Sequence, residues 1–186
     1  MTGKEQQSDF AFRLMAWEFK LRDWLRPPEN ILREAGVRAG MRVLDFGCGP
    51  GGFSLAASAL VGKRGFVYAL DIQPVALQYV QSAAKRLSLE NIKTIHTIDF
   101  ITSETVDFVM LYDVFHDLSA SSAVLFELYR KLKAEGILSV SDHHLKKDDL
   151  LRAVTKDGFF QRKDSTKWTS QFIKTTRKEK NNGDAP

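Results

Sequence analysis

A glycine-rich stretch directly after an apolar run constrains this chain more than any other feature. In VLDFGCGPGGFS (43–54), four glycines fall within six residues, and the run before them holds a carboxylate, Asp45. Glycines at a strand-to-helix turn let the backbone approach a ligand closely and leave the N–H groups of the helix start free to bind it. The stretch therefore predicts a ligand site at the end of the first strand.

Short apolar runs alternate with helical patterns along the rest of the chain. The runs have the length and the glycine or polar boundaries of buried strands. They cover residues 41–46, 65–71, 91–97, 106–113 and 136–142. Helical patterns cover residues 52–61, 74–88 and 119–133, and only a turn fits between the third and fourth strands. This alternation predicts an α/β fold, in which a parallel sheet carries helices on both faces.

Both ends of the chain depart from this alternation. The runs at 158–164 and 167–174 are too close together for a helix between them and predict an antiparallel pair at one edge of the sheet. Near the N-terminus, a stripe of leucines and tryptophans predicts an amphipathic helix over residues 10–26, which Pro27 ends. A second short helix is expected to end at Gly36.

Composition restricts the class of protein. The 186 residues suit one domain, and no apolar run is long enough to cross a bilayer. Because the N-terminus also lacks a secretory leader, we expect a cytoplasmic protein without membrane insertion. The single cysteine, Cys48, excludes internal disulfides and multi-cysteine metal sites. Residues 161–186 hold seven Lys and Arg against three Asp and Glu, which accounts for the net charge of +4. The rest of the chain is neutral, so we expect no nucleic-acid partner.

The glycine stretch and two carboxylates indicate which ligand is bound. Gly47, Gly49 and Gly52 fit the G-x-G-x-x-G pattern of adenosine cofactors, and Asp71 ends the second strand, where a carboxylate can bond ribose hydroxyls. Asp45 would repel a pyrophosphate and attract a cationic group. S-adenosylmethionine carries an ammonium and a sulfonium, so it fits better than a dinucleotide. Taken singly, Asp45 can also cap a turn, and Asp71 can cap the helix that starts at Pro74.

The sequence resembles the class I S-adenosylmethionine-dependent methyltransferase family from about residue 30 to 175. The matching motifs are VLDFGCGPGG, ALDIQP, VDFVMLYDVFHDL and LYRKLKAEGILSVSD. The resemblance implies a Rossmann-like, doubly wound sheet of seven strands, mostly parallel, with an antiparallel C-terminal edge strand. The length and the match together predict a single methyltransferase domain over 1–176 with a core over 41–176. The aromatic N-terminal helix predicts a helical lid over 1–36, and the polar composition of residues 177–186 predicts a disordered basic tail.

Carried over by position, the resemblance implies a set of residues around the cofactor and its product S-adenosylhomocysteine. They are Asp45, Gly47, Cys48, Gly49, Asp71, Ile72, Asp99, Phe100, Tyr112 and Asp113. Asp45, Gly47 and Gly49 lie against the methionine part, Asp71 holds the ribose, and Ile72 packs on the adenine. Asp99 meets the adenine amine, with the backbone of Thr97 or Phe100 as the alternative. Tyr112 and Asp113 line the side that faces the acceptor.

The loops after the fourth and fifth strands are expected to hold the acceptor. The first loop, YDVFHD, lacks the Asn/Asp-Pro-Pro-aromatic signature of nucleic-acid amino methyltransferases and resembles the small-molecule, quinone-biosynthesis type. Neighbouring strand ends meet at one edge of a parallel sheet. The two loops should therefore gather Asp113, His116, Asp117, Asp142, His143 and His144.

Two chemistries stay open for this cluster. In the first, His116 or His143 is a general base tuned by a neighbouring carboxylate. In the second, the same residues bind a divalent metal that orients an oxygen acceptor. We assign His116, His143 and Asp113 as catalytic and name no metal ligand. Substrate contacts are expected from Trp17, His116, Asp117, Asp142 and His143.

The first helix carries Trp17 and further aromatic residues, more than docking on a sheet edge requires. It is expected either to dock or to close over the acceptor as a lid, which favours an apolar or aromatic acceptor. The sequence therefore predicts a methyltransferase for a small acceptor, as a monomer or homodimer. A cofactor-binding regulatory module without turnover and an NAD-dependent oxidoreductase are the alternatives.

Overall fold

The computed structural model describes residues 26–175. Its elements are α1 (Pro28–Ala35), β1 (Arg42–Phe46), α2 (Gly52–Val61), β2 (Phe66–Leu70), α3 (Pro74–Arg86), β3 (Ile92–Ile95), β4 (Val106–Tyr112), α4 (Ser121–Lys131), β5 (Leu132–Ser141), α5 (Lys147–Thr155), β6 (Phe160–Ser165) and β7 (Ser170–Lys174). Short 3-10 turns cover Ile98–Phe100 and Phe115–Asp117. Apart from Arg26, the predicted helix over 10–26 lies outside the described residues, as does the tail over 177–186.

One sheet of seven strands organises the fold, in the order β3-β2-β1-β4-β5-β7-β6. The first five strands in this order run parallel, while β7 is antiparallel to both β5 and β6. The predicted Rossmann-like sheet and its antiparallel edge pair are thereby confirmed. Within that pair, β7 takes the inner position and β6 forms the edge. The chain order reverses between β1 and β4, the place where open α/β sheets bind ligands.

The core lies on both faces of the sheet because neighbouring residues of a strand point to opposite sides. Val43 and Phe108 pack with α1 and α2 on one face, through residues such as Leu32 and Val61. Leu44, Val109, Leu111, Leu138 and Val140 pack with α4 and α5 on the other face. Helices therefore cover both faces, and the carboxyl ends of the parallel strands remain for a site. No helix among residues 26–175 is long and apolar enough to cross a membrane.

Two stretches differ from the sequence-based expectation. Helix α5 was not predicted, although Leu150 and Val154 lie one turn apart and are both buried. Strand β5 begins at Leu132 rather than at residue 136, because α4 runs into it without a loop and Leu132 pairs with Val106. The turn predicted between the third and fourth strands is confirmed as the 3-10 turn Ile98–Phe100.

Candidate active site

The glycine loop between β1 and α2 is held tightly against β2. Gly47, Gly49 and Gly51 all have positive φ, at 77°, 49° and 90°. A Cβ on Gly47 would lie 2.7 Å from Val114 Cγ2, and one on Gly51 would lie 2.5 Å from Val80 Cγ2. Gly47 and Gly51 therefore need glycine both for conformation and for space, because the loop packs against Val114 after β4 and Val80 of α3. The N–H groups of Gly47 and Cys48 donate to the Leu70 carbonyl at the end of β2, at 2.8 and 2.9 Å.

Asp71, at the end of β2, fastens this loop. Its Oδ2 accepts the Gly49 N–H at 2.9 Å, and its Oδ1 accepts the Gln73 N–H at 2.8 Å. The second bond lies at Gln73, the N-cap residue of α3, so Asp71 contacts the start of that helix without being its N-cap. Each carboxylate oxygen still has a second lone pair for a ribose hydroxyl. The next residue, Ile72, is 85% exposed and offers an apolar surface beside that carboxylate.

Asp45 lies buried below the loop, with 4% of its surface exposed. Its Oδ2 accepts the Ser54 hydroxyl at 2.6 Å. Burial raises the pKa of Asp45 to about 7; the charge of Asp71 adds to the rise, and the hydrogen bond from Ser54 opposes it. Burial disfavours the ionised form, so a cationic ligand group would bring the pKa back down. This buried carboxyl therefore favours a cation over a pyrophosphate.

Cys48 does not supply a nucleophile to this loop. Its side chain is buried, and its thiol donates a weak hydrogen bond to the Gly49 carbonyl at 3.7 Å. Burial raises the pKa of the thiol far above its usual range, and the nearby charges of Asp45 and Asp71 raise it further. Because the thiolate is the reactive form, the contribution of Cys48 is its backbone and its packing.

Asp99 and Phe100 follow β3, the neighbour of β2, and both are exposed. The Asp99 carboxylate accepts the Thr97 hydroxyl at 2.8 Å. Phe100 is 58% exposed and touches the His96 ring edge-on, with 5.6 Å between the ring centroids. This end of the sheet thus presents an exposed carboxylate and two exposed apolar side chains, Ile72 and Phe100, to a ligand.

Tyr112, the last residue of β4, faces the interior. Its hydroxyl lies 2.8 Å from Ser139 Oγ on β5, and its ring contacts Phe53 edge-on at 4.9 Å. Burial raises the pKa of the phenol. The hydroxyl is therefore held between two strands rather than presented to a ligand, and Tyr112 supports the floor of the site.

Asp113 begins the loop after β4 in a strained conformation, with φ of 53°. Its N–H donates to the Ser141 carbonyl at 2.8 Å, which joins the ends of β4 and β5. Its Oδ1 lies 2.8 Å from His143 Nδ1 and also accepts the His143 N–H at 3.2 Å. A positive φ at a non-glycine residue costs roughly 1–3 kcal/mol and is typical of functional loops.

His116 and Asp142 form a second histidine–carboxylate pair. His116 Nδ1 lies 2.9 Å from Asp142 Oδ2, and the N–H groups of His116 and His144 donate to the same buried carboxylate at 3.0 Å. The hydrogen bond to Asp142 raises the pKa of His116. Burial works to raise the pKa of Asp142, but these hydrogen bonds outweigh it and the pKa is lowered. Asp142 therefore holds the proton on Nδ1 and leaves Nε2 as the acceptor.

The remaining cluster residues surround these two pairs. Asp117 Oδ2 lies 3.5 Å from His116 Nε2, and the His144 ring stacks between those of His116 and His143, with centroids at 4.1 and 3.9 Å. The structure thus brings together all six residues that the sequence predicted for this cluster, while their roles stay predictions. Within residues 26–175, no three His, Cys, Asp or Glu side chains converge as metal ligands. Trp17 lies outside the described residues.

Sequence reasoning missed residues that complete the site. Ser54 is the partner of Asp45, Phe53 contacts Tyr112, and Trp168 lines a pocket beside Asp142. A signal existed for Trp168, because it lies in the turn of the predicted antiparallel pair, and that pair had to neighbour β5. No sequence pattern indicated Ser54 or Phe53, since their contacts depend on side-chain packing.

Several known proteins are similar to this chain. It is 31% identical to a demethylmenaquinone methyltransferase of Geobacillus sp. (strain WCH70), over 58% of this chain and 47% of that protein. It is 28% identical to a ubiquinone/menaquinone biosynthesis C-methyltransferase, UbiE, of Blochmanniella floridana, over 65% of this chain and 49% of that protein. The chain therefore spans about half the length of these relatives.

A solved structure and a family model extend the similarity to most of the chain. The crystal structure of a SAM-dependent methyltransferase from Aquifex aeolicus matches with a TM-score of 0.75 and 25% identity, over 83% of this chain and 93% of that one. The model of the methyltransferase domain family matches residues 38–181, from before the glycine loop to beyond β7. With its fold, its glycine loop and well over half of its length matched, the chain belongs to the methyltransferase domain family.

Proposed function

We propose that this protein transfers a methyl group from S-adenosylmethionine to a small acceptor. The observation that carries the proposal is the pairing of a buried carboxyl, Asp45, below a glycine loop with a second carboxylate, Asp71, at the end of the next strand. When bound, the cofactor supplies a methyl group activated on a sulfonium.

The residues present fit such a cofactor. Backbone N–H groups of the glycine loop and the buried Asp45 suit an amino-acid end, because the carboxyl attracts an ammonium. The free lone pairs of Asp71 suit two ribose hydroxyls. The exposed Ile72 side chain suits the face of a purine, which would bury it. Asp99 and Phe100 continue this surface beyond β3.

His116 is the general base in this proposal, and Asp142 is its positioning residue. Asp142 fixes the imidazole so that Nε2 faces away from the buried carboxylate and can accept a proton from the acceptor. Asp117 lies 3.5 Å from the same nitrogen, where it stabilises the protonated ring. His143 and Asp113 form a second pair of the same kind and are the alternative base.

The acceptor is a small molecule, and an aromatic one is favoured. Relatives that match this chain over about half their length are named for menaquinone and ubiquinone biosynthesis. A relative named as a ribosomal RNA methyltransferase matches over only 39 residues. The neutral charge of the chain outside residues 161–186 also speaks against a nucleic-acid acceptor. A cytoplasmic location and a monomeric or homodimeric state stay predictions.

Thermal unfolding with S-adenosylhomocysteine tests the cofactor assignment, with NAD in parallel. A ligand at 100 times its Kd stabilises a fold by about 2.7 kcal/mol. We expect this stabilisation from S-adenosylhomocysteine, its reduction in Asp71→Ala, and none from NAD. Stabilisation by NAD alone would assign an oxidoreductase instead. Cofactor binding without turnover of any acceptor would assign a regulatory module.

A further inference from the structure

A pocket opens beside the His116–Asp142 pair. It has a volume of about 140 Å³ and lies between the end of β5, the start of α5 and the turn from Thr166 to Ser170. Sites that enclose a whole small molecule usually measure about 300–1,000 Å³. The pocket therefore accommodates one chemical group of a ligand rather than all of it.

Two serine hydroxyls in this pocket are available to a ligand. Ser141 and Ser170 line it, and their hydroxyls have no hydrogen-bond partner within residues 26–175. Ser170 is 4% exposed, but no buried side-chain oxygen within residues 26–175 lacks a hydrogen-bond partner, so the Ser170 hydroxyl still reaches solvent. The hydroxyls of Thr166 and Thr169, by contrast, are within 3.2 Å of each other. The two serine hydroxyls can therefore donate to a ligand that enters the pocket, whereas the two threonine hydroxyls already engage each other.

The rim of the pocket is positively charged. Lys147 and Lys167 line it, and Arg26 Cζ and Lys167 Nζ each lie 4.6 Å from the Trp168 ring. None of these three cations forms a salt bridge within the part of the chain that the structure describes.

Two carboxylates lie close to these cations. Glu34 comes to the rim, where its Oε1 accepts the Lys167 N–H at 2.9 Å. The Asp142 carboxylate is buried and is engaged by His116 and His144. The residues that line the pocket thus include two lysines, Lys147 and Lys167, and one carboxylate, Asp142.

We infer that this pocket binds an oxyanion of the methyl acceptor, a carboxylate or a phosphate, between Lys147 and Lys167 and on the hydroxyls of Ser141 and Ser170. The inference rests on the proposed function and narrows its substrate class. Asp142 lines the pocket, and its carboxylate orients His116, so it links the pocket to the proposed base. An acceptor anchored by its anionic end would present its other end to the base.

Calorimetric titration of the full chain, saturated with S-adenosylhomocysteine, tests this inference. Benzoate, phenyl phosphate and the neutral isostere benzamide are the probes. We expect one of the two anions to bind at least about tenfold more tightly than benzamide, because hydrogen bonds to charged groups are the stronger ones. The anion that binds more tightly identifies the oxyanion. Equal binding of benzamide, or no binding of any probe while S-adenosylhomocysteine binds, would overturn the inference.

Matched variants locate the binding. Lys147→Gln and Ser170→Ala should each weaken anion binding by about tenfold and leave S-adenosylhomocysteine binding intact, which also shows that they fold. Lys146 is a neighbouring exposed lysine that does not line the pocket. Lys146→Gln should change anion binding by less than about twofold. An equal loss in Lys146→Gln would overturn the pocket assignment. If the wild-type chain fails to bind S-adenosylhomocysteine, the proposed function is refuted, and the same titration without it still decides the pocket.

Discussion

In the proposed mechanism, the Nε2 atom of His116 accepts the proton from the methyl acceptor. Asp142 engages Nδ1, so Nε2 is the atom that would accept a proton. His116 is the base in our proposal and is not among the residues proposed to bind the cofactor. We expect His116→Asn to lower the turnover number by about 10² to 10⁴, with unchanged S-adenosylhomocysteine affinity. His96→Asn, at the histidine outside the cluster, is the control. A loss of less than about tenfold in His116→Asn would exclude it as the base.

The pH dependence of methyl transfer provides an independent test of the same pair. A base acts in its neutral form, so the rate should fall as the pH drops through the pKa of His116, which Asp142 raises above 6.5. Asp142→Asn removes that effect and should shift the decline to lower pH, besides lowering the plateau rate. Single-turnover rates between about pH 5 and 9 measure both. An unchanged pH profile in Asp142→Asn would mean that Asp142 does not set the pKa of the base.

The buried Asp45 carboxyl makes the stability of the ligand-free fold depend on pH. Its pKa rises from 3.8 unfolded to about 7 folded, so its ionisation destabilises the fold progressively as pH increases through that window. The full penalty, present above pH 7, is about 4 kcal/mol at most. Asp45→Asn should therefore raise the Tm of the ligand-free chain more at pH 8 than at pH 5, while weakening S-adenosylhomocysteine binding. An equal change in Tm at the two pH values would contradict the burial argument.

The sequence predicted which residues lie in the cluster, but it did not predict which histidine pairs with which carboxylate. Neighbouring strand ends must meet, so the rule for parallel sheets brought the loops after β4 and β5 together without any structure. Which histidine faces which carboxylate depends on the positive φ of Asp113 and on side-chain rotamers, and no pattern in the sequence encodes these. Ser54 was missed as the partner of Asp45 for the same reason.

At the scale of elements, the glycine loop offers a test with a closely matched control. Gly51 and Gly36 have nearly the same backbone angles, with φ of 90° and 100° and ψ of 14° and 12°. A Cβ on Gly36 would meet nothing within 4 Å, whereas one on Gly51 would press against Val80. Alanine should therefore cost about 1–2 kcal/mol at Gly36, from conformation alone.

Gly51→Ala should cost about 1–3 kcal/mol more than Gly36→Ala because of the clash, and it should weaken S-adenosylhomocysteine binding. Urea unfolding and calorimetry measure the two effects. Adding Val80→Ala should recover part of the stability. An equal loss of stability at both glycines would mean that the loop shifts to make room for the extra methyl group.

Elements with a clear apolar pattern were predicted from the sequence, and those without such a pattern were missed. The buried parallel strands consist of continuous apolar runs, and α2 was predicted with its observed bounds. Helix α5 was missed because it opens with Lys147, Asp148 and Asp149, so that only its second half carries apolar residues. The early start of β5 was missed because Lys133 and Glu135 do not resemble a buried strand; this part of the strand pairs only through Leu132.

At the scale of the whole molecule, the N-terminal helical lid stays a prediction, because residues 1–25 lie outside the described part of the chain. Arg26, where the described chain begins, has its Cζ 4.6 Å from the ring of Trp168, which lines the pocket. We propose that residues 1–26, which hold the predicted helix over 10–26, close over the acceptor. Deleting them should raise the acceptor KM by about tenfold and leave S-adenosylhomocysteine affinity unchanged. Removing residues 177–186 is the control truncation, and equal losses in KM and cofactor affinity would indicate structural damage instead.

The position of β7 has a consequence for how the chain is made. Because β7 pairs with β5 on one side and β6 on the other, β6 has no partner in the sheet until residues 170–174 have left the ribosome. Until then the edge of β5 stays open, as an apolar strand to which other nascent chains can pair. The turn from Thr166 to Ser170, which carries Trp168, forms at the same time. Synthesis therefore completes the strands around the glycine loop first, and the turn that lines the pocket beside Asp142 is the last part of the sheet to be assembled.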